Sequence, residues 1–116
     1  MGVRLFYYGG IWMDERTMFS EHKGKYLTRN VKATVTMLLQ LFCWNLIGKK
    51  VLKGAELDYL QIFEIKQTDE GSEITHRQEQ PKFVETYEIL KRKLPELEIW
   101  VIDDGDHLTM LLPEDY

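Results

Sequence analysis

The side chains best able to do chemistry fall in two short clusters. The first is the acidic run Asp103-Asp104-Gly105-Asp106-His107. Carboxylates and an imidazole are ligands for a divalent cation, which could polarise a phosphoryl or carbonyl oxygen. Asp103, Asp106 and His107 are therefore candidate metal ligands, with His76 as a further one, for a small hydrolase acting on phosphate esters. The run also echoes part of a calcium loop, but the twelve-residue frame and its closing glutamate are missing. Asp-Gly is equally what a tight hairpin demands, so the plain reading is an acidic turn between two strands.

The second cluster is His76-Arg77-Gln78-Glu79. On a strand, His76 and Gln78 face one way and Arg77 and Glu79 the other, so His76 and Glu79 make no natural metal pair. Arg77 with His76, and Arg29 from an earlier segment, form a candidate polar patch that could hold a carboxylate or phosphate. The plain reading is mutual neutralisation of Arg77 with Glu79 or with charges on a neighbouring strand. Beyond these clusters there is no Gly-x-Ser-x-Gly serine, phosphate-binding loop, dinucleotide fingerprint or Cys-x-x-Cys. No cofactor is expected, and no catalytic residue is assigned.

Composition narrows the partners. The net charge of −4 over 116 residues gives no general attraction to phosphate. Nucleic-acid binding through Tyr26, Arg29 and Arg77 is thus the weakest reading. The single cysteine, Cys43, lies in an apolar run and reads as a buried, inert thiol. One cysteine and no secretion signal point to the reducing cytoplasm. The longest N-terminal apolar run, Leu5 to Met13, is far short of the roughly 20 residues of a membrane span, so no membrane partner is expected.

The elements that must position these side chains follow from patterning. Residues 1–24 read as an arm, either extended and aromatic or lying upstream of a true start near Met13, and residues 25–116 as a single α+β domain. Lys25 to Val31 alternates as a short strand. Ala33 to Lys50 is the best helix candidate, with Thr34 and Thr36 available as caps and Gly54 beyond its end. Glu56 to Lys66 carries apolar groups on both sides and reads as a central strand. Glu73 to Glu79 closes a hairpin with it and, being polar apart from Ile74, reads as an exposed or edge strand. Phe83, Tyr87, Leu90 and Leu94 recur at helical spacing between Pro81 and Pro95, which predicts a helix over Phe83 to Leu94, with a strand as the competing reading. Leu97 to Asp103 and His107 to Leu112 form a final hairpin. The expected fold is a mostly antiparallel sheet of about five strands on one main helix, in the order β-α-β-β-(α)-β-β.

That main helix has one apolar face too many. On a wheel, Val35, Leu38, Leu39, Phe42, Cys43 and Leu46 gather on one side, and Met37, Leu41 and Trp44 on another. The first face should bury against the sheet. The second needs the N-terminal arm, the Phe83 to Leu94 segment or another molecule to cover it. Met37, Leu41 and Trp44 are therefore a candidate interface for a protein partner or a second copy of the chain.

Several strings together resemble a known family. They are Tyr26-x-Thr28-Arg29, Leu39-Gln40-Leu41-Phe42-x-Trp44, Leu57-Asp58-Tyr59-Leu60-Gln61-x-Phe63, and His76-Arg77-Gln78-Glu79. Trp100-Val101-Ile102-Asp103-Asp104-Gly105-Asp106 and Thr109-Met110-Leu111-Leu112-Pro113-Glu114 complete the set. Across Lys25 to Tyr116 the chain resembles the domain of unknown function 960 family, small proteins of Gram-positive bacteria. The resemblance implies a bacterial, single-domain, cytoplasmic protein and brings no catalytic residues. The expected function is a small non-enzymatic interaction or regulatory module, with the metal-dependent hydrolase as the alternative.

Overall fold

A computed structural model of the chain describes residues 18–116 in full and, before them, the backbone of strands β1 (Leu5–Tyr8) and β2 (Ile11–Asp14). These two pair antiparallel as a hairpin of their own. Their side chains lie outside the described residues, and so do the expected covering of the main helix by an aromatic arm and the question of an upstream start.

The domain is a six-stranded mixed sheet with helices on one face. In chain order come β3 (Gly24–Leu27), α1 (Arg29–Thr34), α2 (Met37–Leu52), β4 (Leu60–Thr68), β5 (Gly71–Gln78), β6 (Phe83–Leu90), β7 (Leu97–Asp103) and β8 (His107–Leu111). A 3-10 turn over Pro113–Asp115 follows. The spatial order is β3-β8-β7-β4-β5-β6, with β3 parallel to β8 and all other pairs antiparallel. This confirms the α+β class and corrects the strand count and order.

The differences from expectation have local causes. The first strand stops at Leu27 rather than Val31 because the Thr28 hydroxyl accepts from Val31 N at 3.3 Å and starts α1 there. Arg29 is thus the first residue of a helix, not the middle of a strand. The single helix expected from Ala33 is broken at Val35-Thr36. Thr36 caps α2 by accepting from Leu39 N at 3.3 Å, and the Gln40 side chain donates to Val35 O at 2.9 Å, satisfying a carbonyl at the break. α2 then runs past Gly48 to Leu52, and Gly54 takes φ +72° just beyond it, the backbone a helix end favours. The strand expected from Glu56 starts only at Leu60.

The larger correction concerns Phe83 to Leu94, which is not a helix. Residues 79–82 turn the chain, and Phe83–Leu90 runs back along β5 as β6. β5 is therefore an inner strand, not an edge, and every second residue from Ser72 to Gln78 is buried. At its start Gly71 is pressed against β6, where a Cβ would lie far inside van der Waals contact with the Ile89 carbonyl oxygen. Gly71→Ala must push the backbone of the two strands apart, and a loss of about 1–3 kcal/mol is expected in urea denaturation. A midpoint equal to the parent's would contradict that close approach.

The core lies between α2 and the covered sheet face. Leu39, Cys43, Leu46, Ile47 and Val51 meet Phe63, Ile65, Ile74, Ile99, Val101 and Met110. The strand registers put Phe63, His76 and Ile99 side by side on this face, and Ile62, Arg77 and Trp100 side by side on the other.

Candidate functional site

The site that stands out is the outer side of α2's first turns. Its buried stripe runs through Leu39, Cys43, Leu46, Ile47 and Val51. Met37, Leu38 and Leu41 lie opposite and are 66%, 62% and 53% exposed. Large apolar side chains at i, i+1 and i+4 form a single ridge on a helix. Leu38 was expected on the buried face. Val35 lies outside α2, and once it is removed from the wheel the buried stripe recentres on Cys43 and swings Leu38 to solvent. Thr36 as cap was the signal that could have shown this.

A groove flanks the ridge on each side. One, of about 200 Å³, lies between α2 and the sheet; Leu38, Phe42, Ile74, Ile89 and Leu94 line it, with Arg92 beside them. The other, of about 400 Å³, lies between α1, the ridge and the end of β3, with Leu27, Met37, Gln40 and Lys32 in its wall. The surface thus has an apolar ridge, two hollows, and one cation at each hollow. Of the three residues singled out by the wheel, Met37 and Leu41 stand together at this surface. Trp44 is half-buried against the core, with Lys25 Nζ 5.9 Å from its ring centroid.

The acidic turn is built differently from a metal site. Asp103 points into the covered face: Oδ2 accepts from Lys23 Nζ and from Phe19 N, each at 2.7 Å, and Oδ1 accepts from Gly105 N at 2.8 Å. His107 points to the opposite face of the sheet, since its neighbour Leu108 shares Asp103's register. Its Nε2 lies 2.9 Å from Asp104 Oδ2, and Tyr26 meets its ring edge-on at 4.9 Å. Asp104 Oδ1 also accepts from His107 N and Asp106 N, and the His107 N–H leads in holding that carboxyl below its ordinary pKa. Asp106 is exposed at the tip. The structure thus separates Asp103 from His107, and among the described residues no group of three or more such side chains is placed to hold an ion.

The polar patch is also divided. Arg77 lies on the open sheet face, its Nε 3.1 Å from Glu64 Oε1 and an Nη 3.5 Å from Glu98 Oε1. These neighbouring-strand carboxylates neutralise it, as the plain reading had it. Arg29 is exposed at the start of α1. His76 is in the core.

That histidine anchors a buried polar network which the sequence did not reveal. Its ring stacks on Phe63 with centroids 4.3 Å apart and meets Phe83 edge-on at 5.0 Å. The Gln61 amide donates to Asp58 O at 2.9 Å and to Gln78 Oε1 at 2.8 Å. Its Oε1 is therefore the acceptor facing His76 Nε2 at 2.7 Å, which assigns the proton to Nε2. Gln78 also donates to Glu56 O and Pro81 O and accepts from Asp58 N, tying both flanking loops to the core. Nδ1 is buried and has no hydrogen-bond partner among the described residues. Burial, with the nearby Lys50 charge second and Glu85 opposing, pushes the His76 pKa from 6.5 down to about 4. Burial likewise pushes the Cys43 thiol up to about 12, as suits an inert core cysteine.

Residues 24–115 match a family model described as a staphylococcal protein of unknown function, DUF960. The fold is similar to a solved protein of unknown function from Enterococcus faecalis, with a TM-score of 0.68 at 23% identity over 85% of this chain and 95% of that one. No curated protein matches. No helix among the described residues is long and apolar enough to cross a membrane.

Proposed function

This chain belongs to the DUF960 family, and on that premise we propose that it is a non-enzymatic protein-interaction module of the bacterial cytoplasm. Its docking surface is the Met37, Leu38 and Leu41 ridge with the two flanking grooves. The observation that carries this reading is the exposure of three large apolar side chains on one helix face, at 66%, 62% and 53%. Scattered surface leucines need no explanation, whereas a contiguous apolar ridge bordered by hollows marks a place where another surface sits. Lys32 and Arg92 in the groove walls give the partner its character. It is a protein segment with apolar anchors spaced for a helix and acidic residues on its flanks.

Photo-crosslinking in the native bacterium tests this. A benzophenone residue at position 41 should yield one discrete heterologous adduct, and the same residue at Lys66, exposed on β4, should yield none. Adding Lys32→Glu and Arg92→Glu should reduce the adduct at position 41 severalfold. Identical patterns at 41 and 66, no adduct at all, or an adduct of two copies of this chain would overturn the reading. Leu41→Glu should meanwhile leave stability within about 0.5 kcal/mol of the parent, because the side chain is already in water.

A further inference from the structure

The sheet has two outer strands of unequal length. β3 offers four residues, and β6 eight. Long, flat, open edges are normally blunted by a proline, a bulge or a covering element. Within β6 there is no proline, its pairing with β5 runs without a bulge from Phe83 to Leu90, and no backbone partner lies on its outer side among the described residues. Val84 and Leu90 are exposed along it.

The hydrogen-bond phase of this edge can be worked out. Lys91 N donates to Glu70 O at 2.7 Å, the bond that flanks the Gly71–Leu90 pair on its far side. In an antiparallel ladder bonded pairs recur every second residue, so Ile89, Tyr87, Glu85 and Phe83 spend their backbone groups on β5. Leu90, Glu88, Thr86 and Val84 turn their N–H and C=O groups outward.

We propose that this edge pairs antiparallel with β6 of a second copy, about a twofold axis through Thr86, making one continuous sheet across two chains. Only a register centred on a residue matches outward-turned groups with outward-turned groups. Centring on Glu85 or Glu88 sets like charges opposite each other, which is unfavourable. Centring on Tyr87 sets the Glu85 carboxylate against Ile89, which is half-buried against the core, whereas the Val84 and Glu88 opposed by the remaining register both stand in water. Centring on Thr86 sets Thr86 against itself, Val84 against Glu88, Phe83 against Ile89, and Glu85 against Tyr87. Within one chain the Tyr87 hydroxyl already donates to Glu85 Oε2 at 2.8 Å, so the pair across the axis repeats a bond these groups make. Phe83 of the second copy comes to lie beside Ile89, in the wall of the groove under Leu38, and extends its apolar lining. The contact is self-complementary, as a twofold interface requires, and closes after two chains. It is separate from the α2 ridge.

Sedimentation equilibrium of the full chain tests it. One strand pair is a small interface, so a dimer is expected with a dissociation constant of about 10–100 µM. Thr86→Pro removes an outward N–H and no backbone bond to β5, which an edge strand tolerates; toward β5 it gives up the exposed 3.4 Å contact between the Thr86 and Thr75 hydroxyls. It should give a monomer with parental circular dichroism. Thr86→Lys places two cations at the axis and should do the same even where proline disturbs folding. Thr86→Cys should form a disulfide-linked dimer on mild oxidation, Cys43 being buried. A parent chain that stays monomeric at about 1 mM, a dimer unchanged by Thr86→Lys, or a dimer lost in Met37→Glu but not in Thr86→Lys would each overturn the proposal.

Discussion

Methionine in place of Lys23 is expected to cost the fold about 3–5 kcal/mol, the loss typical of leaving one member of a buried ion pair without its partner. The pair is well shielded: the Lys23 and Asp103 side chains are 7% and 1% exposed, and their charged atoms lie 2.7 Å apart. With Lys23 gone, Asp103 keeps only the Phe19 and Gly105 N–H groups, too little to replace both the ammonium and water. Asp103→Asn alone should cost a similar amount, since it strands the ammonium. The double variant Lys23→Met/Asp103→Asn should lose clearly less than the sum of the two, because no buried charge is left over. Urea midpoints of the four proteins measure this. A single-variant loss under about 1 kcal/mol would mean that solvent reaches the pair.

Acid should weaken the protein in a window that belongs to His76. Its folded-state pKa of about 4 lies below the ordinary 6.5, so above pH 6.5 the ring is neutral in both states and imposes no cost. Between pH 6.5 and about 4 the unfolded chain takes up a proton that the folded chain refuses, and stability falls as pH falls. The full drop is about 3 kcal/mol, from the size of the shift. Asp104 and Asp115 are held below their ordinary pKa of 3.8, Asp104 chiefly by the His107 N–H and Asp115 chiefly by the Thr28 hydroxyl. Their contribution is present above that value and disappears only below it; Glu85, held below its ordinary 4.5 chiefly by the hydrogen bond from Lys50, joins the loss as pH falls through that value, so the range above about pH 5 is left to His76. Stability measured from about pH 7 to about pH 5 should slope in the parent and flatten in His76→Leu, whatever the variant's absolute stability. An equal slope in both would place the acid sensitivity elsewhere.

How far the fold was legible depended on whether one physical signal dominated. The last hairpin was plain, because Leu97 to Asp103 is apolar on alternate residues and Asp104-Gly105 supplies the turn, where Gly105 takes φ +102°. The main helix was plain in existence and blurred at its start, since Thr34 and Thr36 both look like caps. Only Thr36 caps α2; Thr34 Oγ1 donates back to Asn30 O at 2.7 Å at the end of α1. β6 was misread because Phe83 and Tyr87, four apart, satisfy a period of two as well as one of 3.6. The β-branched Val84, Thr86 and Ile89 favoured the strand, and the open outer side of β5 decided it. β5 looked like an edge because burial was equated with apolar character. Its buried Ser72, His76 and Gln78 are polar and take partners from distant segments, His76 through Nε2 alone, which no local pattern records.

The candidate site was legible in part for the same reason. An excess of apolar residues on α2 is visible as a count, so Met37 and Leu41 were expected on an outer face, and both are exposed. Which of those residues meets solvent depends on the phase of the helix against the sheet, and so Leu38, expected inside, is exposed while Trp44 is half-buried. In the acidic turn, the opposite facing of Asp103 and His107 follows from strand alternation. The partner that makes Asp103 structural, Lys23, lies 80 residues away in sequence.

That distance has a consequence for how the chain comes together. Among the described residues β3 pairs only with β8, and the Thr28 and Asn30 side chains both hold Asp115, at separations of 87 and 85 residues. The hairpins β4-β5-β6 and β7-β8 can form from neighbouring sequence, whereas β3 and α1 must wait. On a ribosome, the early segment from Phe19 to Leu27 has no native place to go until residues 103–115 have emerged, several seconds later at roughly 5–20 residues per second. Throughout that interval β3 and α1 wait unpaired, and the late closure of β3 onto β8 is the step most exposed to wrong pairing between nascent chains.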